Sequence, residues 1–78
     1  MALSAREWLL EFAANLGTPP PSEDELDELL ALAGIAAHAS ERTAAPVSCW
    51  LAARAGLPTG EALAIAKRTA EALAEDGA

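Results

Sequence analysis

The chain's 78 residues make room for one domain, residues 1–78, near the lower size limit of what a hydrophobic core alone sustains. Hydrophobic residues at 53% exclude a disordered chain, although many of them are alanines that bury little area. Five lysines and arginines against twelve acids, a net charge of −7, argue against nucleic acid and anionic membrane as partners, and the single cysteine, Cys49, excludes an intrachain disulfide and any zinc site built from several cysteines.

The opening "MALSAREWLLEFAANLG" lacks the basic region of a secretory signal, and no apolar run approaches the length that crosses a bilayer. With a lone thiol, the expected location is the cytoplasm. Ser4 and Glu7 have the spacing of a capping box, after which Trp8, Leu9, Phe12, Ala13 and Leu16 recur at helical intervals; the spacing predicts a helix over 4–16, ended by Gly17. "TPPP" then forces a turn. Ser22 and Glu25 repeat the capping box, with the acids from Glu23 to Glu28 at the positive end of a second helix over 23–41. Its expected buried stripe is Leu26, Leu29, Leu30, Ala33, Ala36 and Ala37.

Pro46 suits the first turn of a third helix, predicted over 46–55 with Val47, Trp50, Leu51 and Ala55 on its inner face and Gly56 and Pro58 at its end. Thr59 is the expected cap of a fourth helix over 60–75, with Leu63, Ala66, Ala70 and Leu73 inward and a frayed "EDGA" end. The pattern therefore implies an all-α, compact single-domain, four-helix bundle-like fold with short connections. Trp8, Phe12, Leu30, Leu51 and Leu63 are expected to meet in one core. Leu10, Leu32 and Ile65 fall off the main stripes and read as a partner or dimer surface.

The segment "AHASERTAAP", residues 37–46, concentrates polar side chains between two alanine-rich helices. Read structurally, it builds a corner: His38 and Arg42 would donate to the last carbonyls of the second helix, and Glu41 would pair with Arg42 or a neighbouring helix. Read functionally, Arg42 offers a planar fork to a phosphate or carboxylate, His38 adds a donor, and the N–H groups of Val47 and Ser48 at the start of the third helix complete a small-anion or nucleotide site. The structural reading carries the greater weight. A small enzyme using His38 as acid or base is a third possibility.

Other chemistry is sparse. A Cys49–His38 dyad would need a cysteine that the pattern places inside a helix, where it serves as a small hydrophobe. No histidine pairing suits a metal, and "GLPTG" lacks the Lys-Ser/Thr that completes a phosphate loop. Size, acidity and helix content suit an acyl carrier protein, but Ser22 stands between Pro21 and Glu23 where such a protein needs Asp-Ser-Leu.

The pattern Ala37-His38-x-x-Glu41-Arg42-x-x-Ala45-Pro46, with Trp8-Leu9, Leu16-Gly17 and the Leu29–Ala33 run, resembles a family of short bacterial all-helical proteins of unassigned function. The family pattern has proline where Thr43 stands and a Phe-Leu pair where Trp50-Leu51 stand. The resemblance implies a domain that occurs alone or joined to a molybdenum-cofactor guanylyltransferase module, and hence an accessory role near that pathway. This chain has no glycine-rich nucleotide loop, so no nucleotidyl transfer is expected of it. The leading expectation is a non-enzymatic accessory or interaction domain, with no cofactor, whose partner is another protein such as a molybdenum-cofactor biosynthesis enzyme. A homodimer is compatible with the pattern. The alternative is the anion or nucleotide module at His38 and Arg42.

Overall fold

A few residues write each helix end. The computed structural model describes residues 3–76, which form four helices and no strand: α1 (Ala5–Leu16), α2 (Glu23–Ala39), α3 (Ala44–Ala55) and α4 (Thr59–Asp76). This is the all-α, bundle-like architecture that the sequence implies. Gly77 and Ala78, the tip of the expected frayed end, lie outside the described residues.

Both capping boxes close. The Glu7 N–H donates to Ser4 Oγ at 3.1 Å while the Ser4 N–H donates to Glu7 Oε1 at 2.9 Å; Glu25 and Ser22 repeat the exchange at 3.1 and 2.8 Å. Each box supplies partners for two N–H groups that a helix start would otherwise leave unpaired within the protein. Gly17 (φ 78°) and Gly56 (φ 74°) end α1 and α3 in the left-handed region, where any Cβ would be strained. Beyond Gly17, the Thr18 N–H returns to the Ala13 carbonyl at 3.0 Å and closes the helix end.

The start of α4 is built across the fold. Thr59, expected as its cap, is the first helical residue, and its hydroxyl donates to Glu28 Oε1 of α2 at 2.6 Å, across 31 positions of sequence. The Glu28 carboxylate therefore lies at the positive end of α4. Gly60 leaves it room, since a Cβ there would meet Glu28 Oε2 at 2.8 Å.

The central element is α2. It packs along both α3 and α4, and those two meet over a shorter stretch. By contrast, α1 packs against none of the other three helices among the described residues. An Arg6–Glu23 ion pair holds it near the start of α2, and Leu9 and Leu10 line a small hollow with Pro20, Pro21 and Leu26. Trp8 and Phe12 stack on each other, ring centroids 5.6 Å apart at 17°, on a face of α1 that stays exposed.

The core differs from the expected one. Trp8 is 55% exposed, Leu30 62% and Leu51 54%; Phe12 is exposed too, and Leu63 is half-buried. Leu32, expected on an outer surface, is instead the one large side chain buried, at 3% exposure, with Ala13 and Ala62 the other buried apolar residues among those described. The expected stripe of α2 is half-buried at Leu26, Leu29, Ala33, Ala36 and Ala37 and exposed at Leu30, and the inner face extends to Leu32 instead.

Candidate functional site

The α2–α3 corner is closed by backbone. The Ser40 N–H donates to the Ala36 carbonyl at 3.0 Å, the Ala44 N–H to Glu41 at 2.9 Å and the Ala45 N–H to Arg42 at 3.2 Å. Among the described residues, neither His38 nor Arg42 donates a hydrogen bond to a helix carbonyl, and no ion pair joins Glu41 to Arg42. All three side chains are exposed, and Glu41 accepts from the Thr43 hydroxyl at 3.1 Å. The corner hydrogen bonds expected of His38 and Arg42 are therefore replaced by main-chain ones.

The same geometry moves the expected anion donors. The third helix begins at Ala44, two residues before Pro46, so Val47 and Ser48 fall in its second turn. Its first two N–H groups already serve the corner carbonyls, and Pro46 has none to offer. Val47 is exposed, while Ser48 is half-buried on another face, lining a groove. The structure thus keeps His38, Glu41 and Arg42 at one corner and turns Ser48 away from them.

That groove is a broad concavity of the described molecule. It runs between α2, α3 and α4, is open to solvent, and has a volume of about 390 Å³. Leu32 and Ile35 form its floor from α2, Leu51 and Ala52 one wall, and Ile65 and Ala66 the other. Its polar lining residues are Ser48 and Thr69, and the Thr69 hydroxyl is spent on the Ile65 carbonyl at 2.8 Å. No titratable side chain lines it. Ile65, expected at a partner surface, is exposed on this wall, and Leu10, expected there too, is exposed at the hollow beside α1.

The groove arises from composition. Alanine recurs at 52, 55, 62, 66 and 70 on the facing sides of α3 and α4, so the helices approach without filling the space above α2. A folded monomer of this chain's 8.0 kDa mass exposes about 4,500 Å² by the scaling of area with mass, against the 5963 Å² exposed here. The radius of gyration, 13.9 Å, exceeds the about 11.5 Å typical of this length. Exposed large apolar side chains stand on the Trp8–Phe12 face of α1 and on the outer side of α3, where Arg54 lies over the Trp50 ring at 5.1 Å.

The perturbed groups lie at helix ends and in a helix–helix contact. The perturbed acids are structural: backbone and hydroxyl hydrogen bonds from Ser4 hold the Glu7 carboxyl below its ordinary range, and the hydrogen bond and charge of Arg6 do so for Glu23. The half-buried Cys49 thiol lies 3.9 Å from the Leu29 carbonyl oxygen, and burial pushes it up, away from the reactive thiolate. It makes no hydrogen bond to His38, and no cluster of metal-binding side chains forms, among the described residues. Nor, among those residues, is any helix long and apolar enough to cross a membrane.

The family described as a domain of unknown function, DUF6457, matches residues 2–78. The chain belongs to that family. The match spans all four helices, the groove and the His38–Pro46 corner. No curated protein and no solved structure matches the chain. Sequence periodicity missed the groove because its walls are mostly alanine. The signal available was the alanine spacing on two successive helices together with Leu51, Ile65 and Leu73.

Proposed function

We propose that the chain is a non-enzymatic helical interaction domain, which takes an amphipathic helix of a protein partner into the groove between α2, α3 and α4. The supporting observation is the lining: an open apolar channel of about 390 Å³ with two hydroxyls and no titratable group. A metabolite site would place a few convergent polar groups to orient its ligand. A helix face needs none, because its backbone is satisfied internally and its apolar side chains supply the contact. Alanine walls let a helical backbone approach closely. The family resemblance adds the partner class, an enzyme of molybdenum-cofactor biosynthesis, to which the chain would be accessory.

A synthetic amphipathic helical peptide of leucine and glutamine, titrated into the labelled chain, tests the groove by nuclear magnetic resonance. Amide shifts should gather on Leu51, Ala52, Ile65 and Ala66 and disappear in Ala66→Trp, which fills the channel. Shifts centred elsewhere, or none at a concentration where the chain is monomeric, would refute the groove reading. For the partner class, a purified molybdenum-cofactor guanylyltransferase should co-sediment with the wild-type chain and not with Ala66→Trp.

The alternative is a small-anion or nucleotide module at His38 and Arg42. It draws on their exposure and on the lack of a structural hydrogen bond from either among the described residues. Stabilisation by phosphate or a guanine nucleotide, present in the wild type and absent in His38→Ala and Arg42→Ala, would establish it over the groove reading.

A further inference from the structure

We infer that, without an external partner, the groove is occupied by α1 of a second copy of this chain, and that two copies exchange these helices reciprocally in a two-fold dimer. The inference rests on the groove reading above and names the regulation of that site. The chain carries two unsatisfied apolar surfaces of matching form. One is the channel of α2, α3 and α4. The other is the face of α1 bearing Trp8, Phe12 and Leu16, all exposed, on a helix that packs against no other helix of its own chain among the described residues.

The dimensions agree. Trp8 to Leu16 spans about 12 Å of helix and the α4 wall, Ala62 to Leu73, about 17 Å, at the usual rise per residue. Large rings on one surface face alanine-lined space on the other. Within one chain, the Arg6–Glu23 pair and the prolines hold α1 at the start of α2, whereas the groove begins at Leu32, beyond two turns of that helix. An isologous pairing uses both surfaces of both copies and leaves neither open.

Area favours the same occupant. The chain exposes about 1,500 Å² more than a monomer of its mass, and a standard interface removes about 800 Å² from each partner. The half of the chain after residue 31 holds Arg42, Arg54, Lys67 and Arg68 but also Glu41, Glu61, Glu71, Glu75 and Asp76, so apolar area and not charge selects the occupant. An incoming partner helix must displace α1, so the dimer is the closed state of the docking site.

Sedimentation of the full chain tests this. The wild type should approach twice its 8.0 kDa mass by roughly 100 µM, where a micromolar contact is largely formed. Phe12→Asp, which alters only the exposed face of α1, and Ala66→Trp, which fills the groove, should each be monomeric while keeping helical circular dichroism. Mixed together, they should recover a heterodimer through the one intact helix and the one intact groove. A wild-type chain that stays monomeric overturns the inference, as does a dimer that survives Phe12→Asp. If the monomeric chain still takes the synthetic peptide, the groove reading stands and only self-docking falls. If monomeric Phe12→Asp refuses the peptide, both fall.

Discussion

Leu32 and Leu30 lie two residues apart on α2, and truncating each should give very different results. At 3% exposure, Leu32 is the one large side chain held out of water among the described residues. Leu32→Ala forfeits its transfer energy and leaves a cavity, together about 2–5 kcal/mol. Leu30 is 62% exposed, so Leu30→Ala removes the smaller buried share of the same side chain, about 0.5–1 kcal/mol. A core of this size rarely supplies more than about 3–5 kcal/mol, so Leu32→Ala should populate unfolded chain before denaturant is added and Leu30→Ala should not. Urea melts by circular dichroism, at one fixed low protein concentration, measure both. Leu30 lies outside the groove and Leu32 in its floor, so the low protein concentration, at which the chain is monomeric, keeps dimer formation out of both midpoints. Equal midpoints for the two variants, or a larger loss for Leu30→Ala, would refute the inner face assigned to α2.

Glu28→Ala and Thr59→Val should each cost about 1–2 kcal/mol, and the double variant little more than either, because both remove one charge-assisted hydrogen bond at the start of α4; additive losses in a double-mutant cycle would contradict a direct bond. His38→Ala and Arg42→Ala should change stability by less than about 0.5 kcal/mol in plain buffer, since main-chain hydrogen bonds close the corner; a drop in melting temperature for both would restore their structural role. Because Glu7 and Glu23 have depressed carboxyl values in the folded chain, their contribution is full above the ordinary glutamate value of about 4.3 and disappears as pH falls through the lower folded values. Helix content in an acid titration should therefore fall below that point, and Glu7→Gln should flatten the fall; an unchanged profile in the variant would show that the capping carboxylate contributes nothing.

The helix boundaries were legible because their signals are local. Ser4-x-x-Glu7, Ser22-x-x-Glu25, Gly17 and Gly56 each specify an end through atoms within a few residues. The start of α3 was two residues out because proline fits any position in the first turn, and at Pro46 it marks the third position, not the first. The edge of the inner face of α2 was illegible for a different reason. Leucine and alanine surround that helix, so periodicity finds the half-buried Leu26, Leu29, Ala33 and Ala36 but does not distinguish Leu30 from Leu32 as their inward neighbour, which contact with α3 and α4 decides. The detachment of α1 was equally hidden. Its amphipathic pattern shows that a face needs covering and says nothing of which surface covers it. At the corner, His38, Glu41 and Arg42 were found as a cluster, but the backbone path that makes their side chains dispensable to the turn depends on Ser40 and Ala44, which carry no distinctive signal.

Cys49 turns the α2–α3 contact into a clock. Its sulfur lies half-buried against the Leu29 carbonyl, and burial disfavours the thiolate that reagents attack. Modification by a disulfide reagent then proceeds fastest when α3 lifts from α2. The labelling half-time, compared with that of the denatured chain, reads the frequency of this opening in undenatured protein without any engineered probe. Because the chain has no second cysteine, each reacted molecule records one event at one place.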